Sequence, residues 1–267
     1  MFQISIFVLY FLAGLLFAAS RLSPYEKHDT KILGLAFIAS TIGVLLHAHT
    51  LWGIVFRESG LALALSSILS LVSLQLAVIA VLAALESRLR GLCGGLLLLA
   101  ALGGAVTGLG QPQAANELSW QMQGHILISL FSYGLITVGA IVACYALIQD
   151  KRLRTLKLSA ANQLFAPLET TERLLYGIAA AGFAGLLLAV VSGATFIENL
   201  FAQHLAHKTI LSILALLLFG ILIAGRQFAG WRGKKAIYLY LGGFAILCLA
   251  YFGSRLILEY IIGAQWG

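Results

Sequence analysis

Residues 174–197 read LLYGIAAAGFAGLLLAVVSGATFI, a run without a charged side chain. A helix that crosses a bilayer needs about 20 apolar residues. Runs of this kind recur along the 267-residue chain, of which 61% is apolar and only 10% charged. One soluble core of this size cannot bury so much apolar surface, and a disordered chain needs low hydrophobicity and high charge. The sequence therefore predicts an all-α fold, a polytopic membrane helix bundle.

Eight runs have spanning length, and we expect them to form a single integral membrane domain over residues 1–267. The first run follows no basic segment and has no clear cleavage site, so we expect a retained span and not a signal peptide. The predicted transmembrane spans lie near 2–20, 32–52, 60–85, 91–110, 123–148, 173–197, 208–225 and 236–262.

Basic residues are unevenly distributed between the predicted loops. Most of the 17 Lys and Arg residues fall in the loops that follow spans one, three, five and seven. By the positive-inside rule these loops are cytoplasmic. We therefore expect both termini on the outer side of the membrane, which is the periplasmic side in a bacterial inner membrane. Topology also explains the net charge of +7, so nucleic acid is not an expected partner.

The three cysteines, Cys93, Cys144 and Cys248, lie far apart inside apolar runs. Their spacing predicts no disulfide framework, no zinc site and no covalently attached haem. No Ser/His/Asp arrangement, phosphate-binding glycine loop or carboxylate pair is visible, so we do not expect an enzyme.

Five of the six histidines fall at or near the predicted outer face. His47 and His125 lie at similar depths on separate spans, about 5–8 Å below the interface from the helical rise. His49 points away from His47 on the same helix. Imidazole ligates zinc and haem iron, but zinc needs three or four close ligands. The pattern favours a porphyrin between helices, with a hydrogen bond to a neighbouring helix as the structural alternative.

Haem also carries two carboxylates that need cationic partners. Arg255 lies within the last predicted span, and Lys208 adjoins His207 at the start of span seven. Contact with a haem propionate is one interpretation of Arg255. A structural ion pair with Glu259, four residues further along the helix, is the other.

Four short motifs resemble the CcsA/HemX group of cytochrome c assembly membrane proteins. Residues 125–133 (HILISLFSY) are similar to the opening of a core helix in that family, and 230–233 (GWRG) and 249–255 (LAYFGSR) are similar to its last loop and final helix. Residues 191–194 (VSGA) resemble its Leu-Ser-Gly-Ala motif. The resemblance covers about residues 120–262.

The resemblance implies that His125 takes the place of the first of two outer-side histidines that flank a tryptophan-rich haem loop in the synthase members. Residues 196–209 hold no tryptophan, and only Lys208 matches the family's lysine. No histidine follows span eight, and Ala224 stands where synthases carry an intramembrane histidine. The resemblance is therefore to the shorter YpjD-like branch, which lacks that loop.

Together these observations predict non-covalent haem b, with His125 and His47 as the axial ligands of the iron and His207 as a reserve ligand. Arg255 and Lys208 are the predicted propionate contacts. The predicted function is haem handling that supports cytochrome c assembly or tetrapyrrole homeostasis. Expected partners are haem, assembly or haem-biosynthesis proteins, and membrane lipid.

Two other classes of function remain open. The first is a small secondary transporter, which would be expected to have proline-broken spans, whereas the three prolines here fall in loops. The second is a cofactor-free scaffold that recruits a soluble partner through its basic loops.

Overall fold

The computed structural model of the protein describes residues 2–22, 29–57, 60–62, 64–109, 118–154, 165–196 and 203–250. These residues form eight α-helices, a short 3₁₀ helix and one two-stranded hairpin. The helices are α1 (Phe2–Ala19), α2 (Asp29–Val55), α3 (Leu65–Ala83), α4 (Arg90–Ala105), α5 (Trp120–Arg154), α6 (Leu168–Phe196), α7 (Gln203–Ala229) and α8 (Lys234–Cys248). The 3₁₀ helix, Ser87–Leu89, precedes α4.

The predicted polytopic helix bundle is confirmed. Seven segments are long and apolar enough to cross a membrane: six lie within α1, α2, α3, α5, α6 and α7, and the seventh, Ser87–Ala105, combines the 3₁₀ helix with α4. Helix α8 is described over 15 residues, and the remainder of the eighth predicted span lies outside the described residues. The side of the membrane on which each terminus lies stays a prediction from the loop charges.

Several helix boundaries differ from the predicted spans, and those of α3 and α5 show why. The third span was expected from residue 60, but α3 begins at Leu65 because Phe56–Arg57 and Gly60–Leu61 pair as antiparallel strands β1 and β2. Helix α5 continues past residue 148 through polar residues to Arg154. Its 35 residues reach about 52 Å at the helical rise, well beyond the bilayer's hydrocarbon thickness of about 30 Å. Hydropathy marks the apolar part of a helix and not its end.

The described helices group into two compact units. The first unit contains residues 1–119 and 148–174, and the second contains 120–147 and 175–267. The sequence pattern of eight similar spans did not indicate this division.

In the first unit, α1 packs mainly on α4 and α2, and α3 packs on α4. One stripe of α1 is buried against its neighbours, at Ile6, Tyr10, Ala13 and Phe17, which follows the helical repeat. Glycines allow α1 and α4 to approach closely, since a Cβ on Gly94 would lie 2.8 Å from the Gly14 carbonyl oxygen. Small residues serve this purpose in membrane helix packing.

In the second unit, α8 is tied to α5 and α7 through a fully buried tyrosine. The Tyr240 hydroxyl donates to the Ile136 carbonyl oxygen at 3.1 Å. Its ring meets Phe219 of α7 edge-on, with centroids 5.1 Å apart. The ring occupies the space left by Gly139, where any Cβ would collide with it. Helices α5 and α6 are joined by Ser132, whose hydroxyl donates to the Gly182 carbonyl oxygen.

An aromatic cluster closes the turn between α7 and α8. Trp231 packs where a Cβ on Gly225 would stand, and its carbonyl oxygen accepts a hydrogen bond from the Tyr176 hydroxyl at 2.8 Å. The Lys235 ammonium lies 3.6 Å from the Trp231 ring centroid. Glycine is needed at Gly230, where φ is +62°, because other residues rarely adopt this conformation. The turn thereby fixes one end of α6, α7 and α8.

Candidate functional site

His125 lies in the second turn of α5 and is hydrogen bonded to α6. Its Nδ1 atom is 3.0 Å from the Ser192 hydroxyl oxygen. The side chain is half-buried, and the Ser129 hydroxyl donates to the His125 backbone carbonyl oxygen. One ring nitrogen of His125 is thus held by the neighbouring helix, while Nε2 remains for another partner.

Gly193 makes room for the His125 ring. A Cβ at this position would stand 3.1 Å from the imidazole Cε1 atom, tighter than an ordinary van der Waals contact. Gly193 is buried and directly follows the serine that bonds the ring. The short motif at 191–194 therefore supplies both a hydrogen-bonding group and the space for His125.

His47 of α2 lies in the first unit and is fully buried in a polar network with residues of α1, of α3 and of the turn that follows α4. Its Nδ1 is 3.2 Å from the Tyr10 hydroxyl of α1. Its Nε2 is 2.7 Å from the Ser70 hydroxyl of α3 and 3.3 Å from the Thr107 hydroxyl, just after α4. Ser70 and Thr107 are themselves 2.7 Å apart. Both ring nitrogens of His47 therefore have protein partners.

The network extends to the beginning of α1. The side-chain amide of Gln3 donates to the Thr107 carbonyl oxygen. Tyr10, His47, Ser70 and Thr107 are all fully buried, where an unpaired polar group is costly. These partners of His47 were not predicted from the sequence. Each of the apolar spans concerned contains several polar residues, and hydropathy does not show which of them meet.

The other predicted site residues are less constrained. His207 is exposed near the start of α7, and the adjacent Lys208 is half-buried. His49 is exposed on α2, as expected for a residue that points away from His47. Arg255 and Glu259 lie outside the described residues, so both interpretations of Arg255 stay predictions.

The structure brings neither His47 nor His125 together with a cluster of further metal ligands. Within the described ranges, no group of three or more His, Cys, Asp or Glu residues is positioned to hold a metal ion. The three cysteines are free. His125 belongs to the second unit and His47 to the first, and their pairing on one iron stays a prediction. His47 and His125 each offer a single imidazole, which is a group that serves as an axial ligand of haem iron.

The fold and these histidines define a multi-pass helical membrane protein with one hydrogen-bonded histidine inside each of two helical units. The chain belongs to the cytochrome c assembly protein family, which matches residues 35–262. The predicted resemblance is thereby confirmed over most of the chain.

Curated relatives agree with this assignment. The inner membrane protein YpjD of Escherichia coli K12 is 32% identical over 236 residues, covering 85% of this chain and 88% of YpjD. The cytochrome c biogenesis protein CcsA of Guillardia theta is 23% identical over 156 residues, covering 52% of each chain. An uncharacterized 28.8 kDa protein of Azospirillum brasilense is 27% identical over 141 residues, again covering 52% of each. No solved structure matches.

Two conclusions follow from these relatives and the helices. The chain is a multi-pass inner membrane protein. Its family supports a role in cytochrome c biogenesis.

Proposed function

We propose that the chain binds haem b non-covalently through His125 and handles this haem for cytochrome c assembly or tetrapyrrole homeostasis. One observation carries the proposal: the His125 ring is held through Nδ1 by Ser192 of a second helix, at 3.0 Å. Histidines that ligate metals usually hydrogen bond through their other nitrogen in this way. The His125 side chain is half-buried, within a segment that is long and apolar enough to cross a membrane.

His47 is the proposed second axial ligand, and His207 is the alternative. Coordination by His47 requires that one ring nitrogen leave Tyr10, or leave Ser70 and Thr107. His207 is exposed, and its ring has no hydrogen bond to give up within the described part of the chain. The two candidates therefore differ in the internal contacts that ligation would break.

Among the described residues, Lys208 is the proposed partner of a haem propionate. Arg255, which lies outside them, stays the proposed partner of the second propionate. Lys208 is half-buried at the start of the apolar part of α7, where a lysine can pair with a carboxylate while its stem stays in an apolar environment. When bound, haem supplies the redox chemistry. The side chains bind it, orient it and exclude water, and we propose no catalytic reaction for the protein itself.

The decisive experiment compares oxidised and reduced visible spectra of the purified full chain and of His125→Ala, both before and after haem titration. The expected result is a Soret band with sharp reduced α and β bands in the wild type, lost in His125→Ala. Release of the haem by acidified acetone identifies it as non-covalently bound.

His49→Ala is the matched control, because this histidine is exposed and lies on a different helix from His125. It should keep the wild-type spectrum, and circular dichroism should show that both variants are folded. His47→Ala and His207→Ala then identify the second ligand, since only its loss converts a low-spin spectrum to a high-spin one. A wild-type chain that stays colourless after titration refutes the proposal, as does an unchanged spectrum in His125→Ala.

A further inference from the structure

We infer that Ser192 is a positioning residue that fixes the tautomer of His125, so that the ring carries its proton on Nδ1 and presents Nε2 as the ligand atom. The proposed function is needed only to identify the ligand as haem iron. The tautomer is a property of the protein before any haem binds, and it can be measured separately.

The Ser192 hydroxyl has a single hydrogen to donate. The Ser192 Oγ atom is 3.0 Å from the Ala189 carbonyl oxygen, one turn earlier in α6. A carbonyl oxygen can only accept, so the hydroxyl hydrogen is used in this bond. Serines inside helices commonly donate backwards to the preceding turn in this way.

The direction of the second hydrogen bond follows from the first. Ser192 Oγ is also 3.0 Å from His125 Nδ1, and with its hydrogen directed at Ala189 it can only accept there. The Nδ1 atom must therefore be the donor. A neutral imidazole carries one proton, so Nε2 keeps a free lone pair.

Gly193 determines where that lone pair lies. The ring atom Cε1, between the two nitrogens, would be only 3.1 Å from a Cβ at residue 193. An alanine there keeps the Ser192 hydroxyl but pushes the ring edge by a few tenths of an ångström. The serine thus sets the protonation pattern of the ring, and the glycine permits its position.

The first test measures the tautomer directly by ¹⁵N NMR of the histidine-labelled full chain in nanodiscs, before haem is added. The His125 signal is identified by its absence in His125→Ala. We expect a protonated Nδ1 and an unprotonated Nε2 in the wild type and in Ser192→Thr, which keeps a hydroxyl. Ser192→Ala should shift the proton towards Nε2, the form that free imidazole side chains favour.

Ser129→Ala is the matched control, because the Ser129 hydroxyl bonds the His125 backbone carbonyl and not the ring. It should leave the His125 signal unchanged. A wild-type His125 with its proton on Nε2 overturns the inference. So does a Ser192→Ala spectrum identical to that of the wild type.

The second test measures haem affinity and midpoint potential in the same variants. Loss of a second-shell hydrogen bond typically weakens metal binding about 10- to 100-fold, and we expect a loss of this size in Ser192→Ala. The midpoint potential should rise, because an imidazole without the Nδ1 hydrogen bond is less basic and stabilises ferric iron less. Ser192→Thr should restore both values. Gly193→Ala should weaken haem binding, whereas Gly124→Ala, which has open space around its Cβ, should not.

The two tests separate the inference from the proposed function. If His125→Ala keeps its haem, the proposed function fails, although the tautomer measured without haem still stands. If His125→Ala loses haem while Ser192→Ala matches the wild type in tautomer, affinity and potential, the role of Ser192 is wrong and the haem proposal survives.

Discussion

Tyr10 and His47 form a buried pair whose energetic coupling can be measured with three variants. Tyr10→Phe keeps the ring but removes the hydroxyl that lies 3.2 Å from His47 Nδ1. His47→Leu keeps a bulky side chain and removes both ring nitrogens. The double variant removes both partners of the bond, so that neither polar group is left alone.

The structure sets the size of each effect. An interhelical hydrogen bond in a membrane protein averages about 0.6 kcal/mol, whereas a buried polar group left without a partner costs about 1–3 kcal/mol. Tyr10 and His47 are fully buried, so the cost of an unpaired buried polar group applies to each single variant. In His47→Leu, Ser70 and Thr107 still bond each other at 2.7 Å, which leaves the Tyr10 hydroxyl as the orphaned group.

We therefore expect each single variant to lose about 1–3 kcal/mol of unfolding free energy. The double variant should lose less than the sum, with a coupling of about 0.5–1.5 kcal/mol, in the range measured by double-mutant cycles for interhelical hydrogen bonds in a membrane protein. The assay is reversible unfolding in bicelles by titration with a denaturing detergent. Tyr238→Phe, at an exposed tyrosine of α8, should stay within about 0.5 kcal/mol of the wild type. Additive losses in the double variant would show that the two side chains are not coupled.

Three further predictions concern packing and topology. Gly94→Ala places a Cβ 2.8 Å from a backbone oxygen of α1 and should lower the melting temperature clearly, while Gly95→Ala, with open space around its Cβ, should not. Trp231→Ala removes the centre of the aromatic turn and should expose the α7–α8 end to limited proteolysis. The control is Phe228→Ala, at a side chain that is 88% exposed. Equal protease sensitivity of the two variants would contradict the role of Trp231 in closing this turn. Reporter fusions within 155–164 should be active only as cytoplasmic reporters, and periplasmic activity there would reverse the predicted orientation.

The sequence sufficed for the fold class and for the approximate spans, because a bilayer of fixed thickness demands apolar runs of matching length. It did not reveal the hairpin before α3 or the polar continuation of α5 to Arg154. Both depend on backbone hydrogen bonds, and the hydropathy of the side chains does not predict where these bonds form. Helix boundaries are consequently the least predictable part of such a fold.

The candidate histidines were predicted from their depth and residue type, but their partners were not. Ser192 and Tyr10 are far from His125 and His47 in sequence, and they meet them only because particular helices pack together. Each is a single polar residue in an apolar run, like many others in the chain. Helical periodicity describes the face of one helix and contains no information about which face lies opposite.

The packing of α1 on α4 has a consequence for biosynthesis. Helix α1 emerges from the ribosome before α4, yet its most extensive contacts are with α4, through Gly14 and Gly94. Each spanning helix is stable in lipid before it associates with others. The nascent α1 therefore stays in the bilayer without this partner until α4 has been inserted. Until then, its stripe from Ile6 to Phe17 is covered by α2 and by lipid. The packing of α1 is completed only when α4 displaces that lipid, so a chain arrested after α3 presents the assembly and quality-control machinery with an unfinished bundle.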